Sequence, residues 1–225
     1  MKQEKRENKA IKVRLYPNKE QEEQLKKTFG CCRFLYNQML ADKIEEYKKN
    51  QKMLKNTPAS YKREYSWLKE VDSLALANVQ RHLEKAYQNF FKQPKVGFPN
   101  FKSKHHSKAS YTTNLVNGNI RIEKHRLKLP KISSIRMILH REIPSNYQLK
   151  SVTISREPSG KYYASLLFSY ESQVREGKER AENILGIDYA MSGMAVFSNG
   201  KRAGYPMFYR NAEKKLAKEQ RKLSK

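Results

Sequence analysis

The run from Val152 to Phe168 constrains the fold more than any other. Val152 and Ile154 alternate with Thr153 and Ser155, the chain passes through Glu157-Pro158-Ser159-Gly160, and Lys161 to Phe168 resumes an extended apolar pattern. Proline presets one turn dihedral and glycine accepts a positive φ, so the stretch predicts a β-hairpin. The pattern extends over Ile120 to Tyr170. There Ile120/Ile122, Leu127/Leu129 and Ile135/Met137/Leu139 form short apolar runs punctuated by Asn117-Gly118, Pro130 and Pro144. At the other end of the chain Ile11, Val13 and Leu15 alternate with Lys12, Arg14 and Tyr16 until Pro17-Asn18. That is a half-buried strand able to complete the same sheet.

Several short strands with basic outward positions suit a small barrel of the oligonucleotide-binding kind. Helices are inserted between its first strand and the rest. Leu25, Phe29, Cys32, Tyr36, Met39 or Leu40, and Tyr47 recur at three and four residues, marking one long amphipathic helix or a pair broken near Gly30. Residues 50–60 lack a period and read as a connection. Ser73 opens another helix, with Leu76, Val79, Leu83, Ala86 or Tyr87, and Phe90 on its apolar face. Two positions on from these stand Asn78, Arg81, Lys85, Gln88 and Lys92. A two-residue step is about 200° around a helix, so this row is expected to face away from the core, either as a solvated face or as a ridge toward nucleic acid.

Charge decides what such a surface meets. Lys and Arg number 47 against 22 acids, a formal net charge of +25 spread along 225 residues. A compact particle so charged repels itself unless a polyanion neutralises it, which points to nucleic acid. No apolar run approaches the roughly 18 residues of a membrane span, and the N-terminus lacks an apolar signal core, so a cytoplasmic, nucleoid-associated protein without a membrane partner is expected. Cys31 and Cys32 are adjacent and offer neither a disulfide framework nor a Cys-x-x-Cys metal site. From Gln93 to Asn114 the chain turns rich in Pro, Gly, Ser, Lys and aromatic residues. Gly97-Phe98-Pro99-Asn100-Phe101-Lys102-Ser103-Lys104 interleaves rings with cations, as a loop does that stacks on bases and pairs with phosphates. Phe98 and Phe101 could equally staple this loop to the core.

Ile184 to Gly200 forms a distinct terminal motif. The apolar Ile184-Leu185-Gly186-Ile187 ends in Asp188, a small-residue turn follows, and Ala195-Val196-Phe197 precedes Ser198-Asn199-Gly200. This is a second hairpin signal, with a third strand expected around Ala203 to Tyr205 and a Lys-rich helix that Asn211 would cap. An Asp after a strand is commonly a turn former or helix cap. At the end of a buried strand it is instead a candidate for a divalent metal.

The motif Gly186-Ile187-Asp188, its turn, Ala195 to Gly200 and the Lys-rich helix resemble the first strand-hairpin of a RuvC, or RNase H-like, nuclease domain. Together with Arg14-Leu15-Tyr16-Pro17, Phe34-Leu35-Tyr36-Asn37, Gly97-Phe98-Pro99-x-Phe101 and Glu157 to Tyr162, they resemble the TnpB/OrfB family of insertion sequences. The resemblance implies an α+β chain: an oligonucleotide-binding-like wedge barrel with an inserted helical recognition domain, then an incomplete RuvC domain. The segments expected are 1–18 (first wedge strand), 19–92 (helical, helix-turn-helix-like), 93–116 (basic aromatic loop), 117–172 (wedge), 173–183 (linker) and 184–225 (start of the nuclease).

The resemblance also implies a magnesium-dependent DNA endonuclease that uses guide RNA from its own element and cuts double-stranded target DNA. Asp188 would be the first metal-binding carboxylate. Two-ion phosphodiester cleavage needs several carboxylates, and after Asp188 the only acids are Glu213 and Glu219, both in the Lys-rich helix. The family's four-cysteine zinc element is absent. Part of a longer nuclease, a short chain that holds nucleic acid without cutting, and a bland basic binder are the three readings. In the first two, Asn78, Gln80, Arg81, Lys85, Gln88 and Lys92, with Phe98, Phe101, Lys102 and Lys104, contact nucleic acid. Tyr111-Thr112-Thr113-Asn114 forms a second loop facing target duplex, and Asn78, Gln80, Thr112, Thr113 and Asn114 would read a short flanking motif.

Overall fold

A computed structural model describes residues 4–173, 184–189, 193–204 and 206–224. The chain divides into two compact units, Met1–Val174 and Arg175–Lys225.

The first unit is built on a seven-stranded antiparallel sheet with edges β2 and β3, in the order β2-β6-β7-β1-β5-β4-β3. Its strands are β1 (Glu4–Tyr16), β2 (Ala109–Asn114), β3 (Arg121–Glu123), β4 (Arg126–Leu129), β5 (Ile132–Ile138), β6 (Gln148–Arg156) and β7 (Tyr162–Gln173). The sheet curls into a half-barrel and leaves β2 and β3 as edges, so the expected barrel is open. The first strand does complete the sheet: β1 lies between β7 and β5, with Val13 opposite Ala164 and Leu15 opposite Met137. Period-two alternation puts Ile11, Val13, Leu15, Ile154, Ala164 and Leu166 on the buried face.

The β6–β7 hairpin closes through Glu157 to Lys161. The Glu157 N–H donates to the Lys161 carbonyl and the Gly160 N–H to the Glu157 carbonyl, each at 2.9 Å. Gly160 sits at φ +81°, and an added Cβ would come no closer than 3.8 Å to Arg156. The cost of a side chain there is conformational rather than steric. Gly160→Ala is therefore expected to destabilise the protein by about 1 kcal/mol, read as a lower denaturant midpoint at unchanged slope.

Helices cover the inner face: α1 (Lys19–Asn50), α2 (Pro58–Glu64), a 3-10 turn (Ser66–Glu70) and α3 (Ser73–Lys92). The first is a single 32-residue helix that runs unbroken through Gly30. Its start is pinned by a capping box, in which Asn18 Oδ1 accepts from the Gln21 N–H at 2.8 Å and Gln21 Oε1 from the Asn18 N–H at 2.9 Å. Gln21 Nε2 also donates to Ser133 Oγ at 2.9 Å, tying the helix start to β5. Leu25, Leu35, Met39, Leu40, Leu76 and Leu83 are fully enclosed and form one core with the inner face of the sheet.

Three expectations are corrected. α2 begins at Pro58, so the last three residues of the connection expected over 50–60 are helical. Ala109–Asn114, expected inside a loop, is a strand paired with β6. β7 ends at Gln173, one residue beyond the predicted wedge; the rest of the 173–183 linker lies outside the described residues.

The second unit holds a three-stranded antiparallel sheet of β8 (Ile187–Asp188), β9 (Ala195–Phe197) and β10 (Arg202–Ala203), followed by α4 (Phe208–Leu223). Asn211 lies inside α4, not at its cap, and Tyr205, the expected end of the third strand, is outside the described residues. The apolar residues leading into and within β8 are not enclosed: Ile184 is 67% and Ile187 65% exposed, and α4 buries none of its residues. Two- and three-residue strands cannot cover both faces of so small a sheet.

Candidate nucleic-acid interface

Along α3 the buried arc consists of Ala75, Leu76, Asn78, Val79, Leu83 and Tyr87. It is wide because α1 packs on one side of the helix and β2 on another. Asn78 falls within the arc, contrary to its expected outward position. Its Nδ2 donates to the Thr112 carbonyl at 2.9 Å and to the Leu74 carbonyl at 3.0 Å, fastening the helix to the edge strand. Arg81, Lys85, Gln88 and Lys92 stand exposed at steps of three and four residues, forming one face. Half-buried Gln80 is engaged by Glu84, donating to Oε1 at 2.8 Å.

The segment from Gln93 to Lys108 contains four lysines, two histidines and no acid. Its two phenylalanines differ in role. Phe98 packs edge-on against Tyr87 and Phe90, with centroids at 5.6 and 5.4 Å, which is the stapling alternative. Phe101 is 58% exposed and free to stack. Asn37 anchors the loop through both amide atoms, donating to the Lys102 carbonyl at 2.8 Å and accepting the Lys102 N–H at 2.7 Å. The Lys102 ammonium lies 4.0 Å from the centroid of Tyr36. Burial lowers its pKa below the ordinary lysine value, so Lys102 belongs to the anchor, while Lys104 is exposed. Cys32, deep beside it, has its thiol pushed up to about 12 by burial and is no nucleophile.

Strand alternation settles the Tyr111 to Asn114 segment. Tyr111 and Thr113 point inward and are buried, Tyr111 with its ring centroid 5.6 Å from that of Phe29. Thr112 shares a 2.8 Å hydroxyl hydrogen bond with Thr153, and Asn114 is half-buried with its carbonyl accepting from Asn119 at 3.1 Å. Asn78, Tyr111 and Thr113 thus cannot reach a duplex without unfolding, so the expected flanking-motif set is not presented together.

A second cationic surface, expected from the sequence only as basic outward positions on the strands, lies on the outer face of the sheet. Lys12, Arg14 and Tyr16 of β1 share it with Tyr163 of β7, Arg136 of β5, and Arg126 and Lys128 of β4. Cross-strand register sets Arg14 opposite Tyr163, Tyr16 opposite Arg136, and Arg126 opposite Arg136. Directly opposed like charges cost roughly 0.2–1 kcal/mol per pair, a cost that an anion offsets. The signal was the alternation of Lys12, Arg14 and Tyr16 with apolar residues; what the sequence lacked was the strand neighbours.

The carboxylate of Asp188 is exposed at the end of β8, where its residue pairs with Val196. Among the described residues no three His, Cys, Asp or Glu side chains converge as a metal site. Glu219 is paired with Lys222 at 2.8 Å within α4. One carboxylate alone does not meet the multi-ligand demand of magnesium. Among the described residues, no helix is long and apolar enough to cross a membrane.

The helix-turn-helix domain family of OrfB proteins matches residues 7–52, the span that forms most of β1 and all of α1. A Streptomyces pristinaespiralis protein named as a candidate RNA-guided DNA endonuclease is 31% identical over 228 residues, covering 96% of this chain and 54% of that protein. InsQ of Escherichia coli strain K12, named in the same way, is 30% identical over 223 residues with the same coverage. The virulence protein VsdF of Salmonella dublin is 38% identical over 111 residues, which are 43% of this chain and 93% of that protein. The chain spans about half the length of the two endonuclease-named relatives, and the matches to them run over 96% of it and include the OrfB domain at residues 7–52: the chain belongs to the TnpB/OrfB family.

Proposed function

We propose that this chain is the nucleic-acid-gripping portion of an RNA-guided DNA endonuclease, holding guide RNA and target DNA. The observation that carries the reading is the disposition of the +25 charge: an exposed cationic row on α3, an acid-free loop beside it and a cationic sheet face. In such a system, base pairing with the guide supplies sequence specificity, and the protein grips backbones and reads a short flanking motif. Arg81 and Gln88, exposed on α3, are the residues free to do that reading, while Asn78 and Thr113 support them from inside. Phe101 and Lys104 contact unpaired nucleotides. The β8–β10 hairpin is the first hairpin of an RNase H-like domain, and Asp188 one of its carboxylates.

A second reading, a module that holds nucleic acid without cutting, draws on Asp188, which is exposed and, among the described residues, belongs to no group of three possible metal ligands. The two share the binding step, so binding is the test. The purified chain is titrated into RNA transcribed from the end of its own gene and into unrelated RNA of equal length, across a salt series. Expected is a preference for its own RNA and a loss of about 10³–10⁵ in affinity between roughly 50 and 200 mM salt. Equally weak binding to both RNAs at every salt would sink the guide-RNA reading.

A further inference from the structure

We propose that the outer face of the sheet, from Tyr163 across Arg14 and Tyr16 to Arg136, is a stacking platform for single-stranded RNA. The proposal rests on the nucleic-acid reading above and assigns this face a substrate of its own, separate from the α3 row.

The face has the two components such a platform needs. Aromatic rings offer π-surfaces to successive unpaired bases, and cations between them meet the phosphates. Tyr16 is 38% exposed and Tyr163 half-buried. Each ring already has a cation over it: the Lys12 ammonium lies 4.3 Å from the Tyr163 centroid and the Arg14 guanidinium 4.8 Å from that of Tyr16. Arg136 approaches Tyr16 from the neighbouring strand at 5.8 Å. Among the described residues Arg14 Nε has no hydrogen-bond partner and is buried, a donor that a phosphate or base oxygen would satisfy once the guanidinium turns outward.

Charge complementarity selects the occupant. Lys12, Arg14, Arg126, Lys128 and Arg136 are answered by Glu157, 3.0 Å from Lys12, and by Glu123, opposite Arg126 in the register. The surplus is positive and lies in line with the rings. Three hydroxyl residues, Thr112, Thr153 and Ser165, continue one cross-strand row from Lys12. Hydroxyls beside a backbone track are partners for a ribose 2′-OH, which argues for RNA over DNA. A double helix keeps its base faces stacked on one another, so the rings have a use only with an unpaired strand.

The test measures fluorescence anisotropy of labelled oligo(U), oligo(dT) and a mixed-sequence DNA duplex with the full chain and with Tyr16→Ala, Tyr163→Ala, Tyr16→Phe and Tyr163→Phe. Unfolding curves select conditions where each variant is folded. Each alanine variant is expected to bind oligo(U) about tenfold more weakly, the phenylalanine variants to keep parental affinity, and duplex binding to stay within about twofold. Oligo(dT) is expected to bind more weakly than oligo(U). Parental affinity in the alanine variants, or phenylalanine variants as weak as alanine, would overturn the platform. Oligo(dT) bound as tightly as oligo(U) would overturn its assignment to RNA. If the parent binds no RNA at all, the guide-RNA reading falls with it; if the parent binds RNA and the alanine variants bind it as tightly, the platform alone falls.

Discussion

Asn78→Ala is expected to lower the unfolding free energy by about 1–3 kcal/mol and leave nucleic-acid affinity unchanged wherever the variant is folded. β2 is an edge strand, paired on one side with β6, and Asn78 reaches from α3 to the Thr112 carbonyl. Alanine removes that donor and leaves the part-buried Thr112 carbonyl without its side-chain partner. Asn78→Asp should be worse, since it puts a second acceptor, charged when ionised, against the carbonyl. Urea unfolding followed by circular dichroism measures the first effect, and duplex titration below the unfolding transition the second. A folded Asn78→Ala protein with a large affinity loss would return this residue to the interface, where its residue type first suggested it belonged.

Asn78 shows where helix-face arithmetic stops working. Counting around a helix assumes that one side is covered; α3 is covered by α1 and by β2, so its buried arc widens past the point where a 200° step reaches solvent. The strand-rich half was legible because its signals are local: the Glu157-Pro-Ser-Gly160 turn and the alternation from Ile11 to Leu15 predicted a hairpin and a strand, and both are present. β2 was not, because Ala-Ser-Tyr-Thr-Thr-Asn carries one large apolar residue and is held by β6 and α3 rather than by its own pattern. Likewise Phe98 and Phe101, equivalent in composition, are separated only by tertiary packing. The sheet's cationic face needed register, which places Arg126 and Arg136 together although they are distant from Arg14 and Tyr163 in sequence. Asp188 was read as the end of a buried strand; the residues that precede it are largely exposed, since burial belongs to the sheet around a strand and not to its apolar sequence.

The triple variant Arg81→Ala, Lys85→Ala, Lys92→Ala is expected to bind duplex DNA roughly 10²–10³-fold more weakly near 0.1 M salt, with the slope of log affinity against log salt shallower by about 2–3. Each of these cations is exposed and on one helix face, and none of the three takes part in an ion pair among the described residues, so each is free to displace a counterion from a phosphate. Stability should move little, because exposed cations in a strongly cationic protein contribute little packing, and removing three lessens self-repulsion. Two readouts distinguish this from a general loss of charge. Lys19, Lys26 and Lys27, in the first turns of α1 near Ser133 and Glu70, offer the same charge change away from the Arg81 to Lys92 row, and their alanine triple should lower the slope less if that row is the contact. The salt slope also separates phosphate contact from base reading. A cation that only neutralises phosphate weakens all sequences alike, whereas a residue that reads a base edge, as Arg81 and Gln88 are placed to do, changes the ranking of sequences at constant salt. Gln88→Ala, neutral in both forms, should therefore leave the slope intact and flatten the preference among flanking motifs. If instead the α3 triple and the α1 triple lowered affinity and slope equally, the cationic row would be one part of a diffuse field rather than an interface.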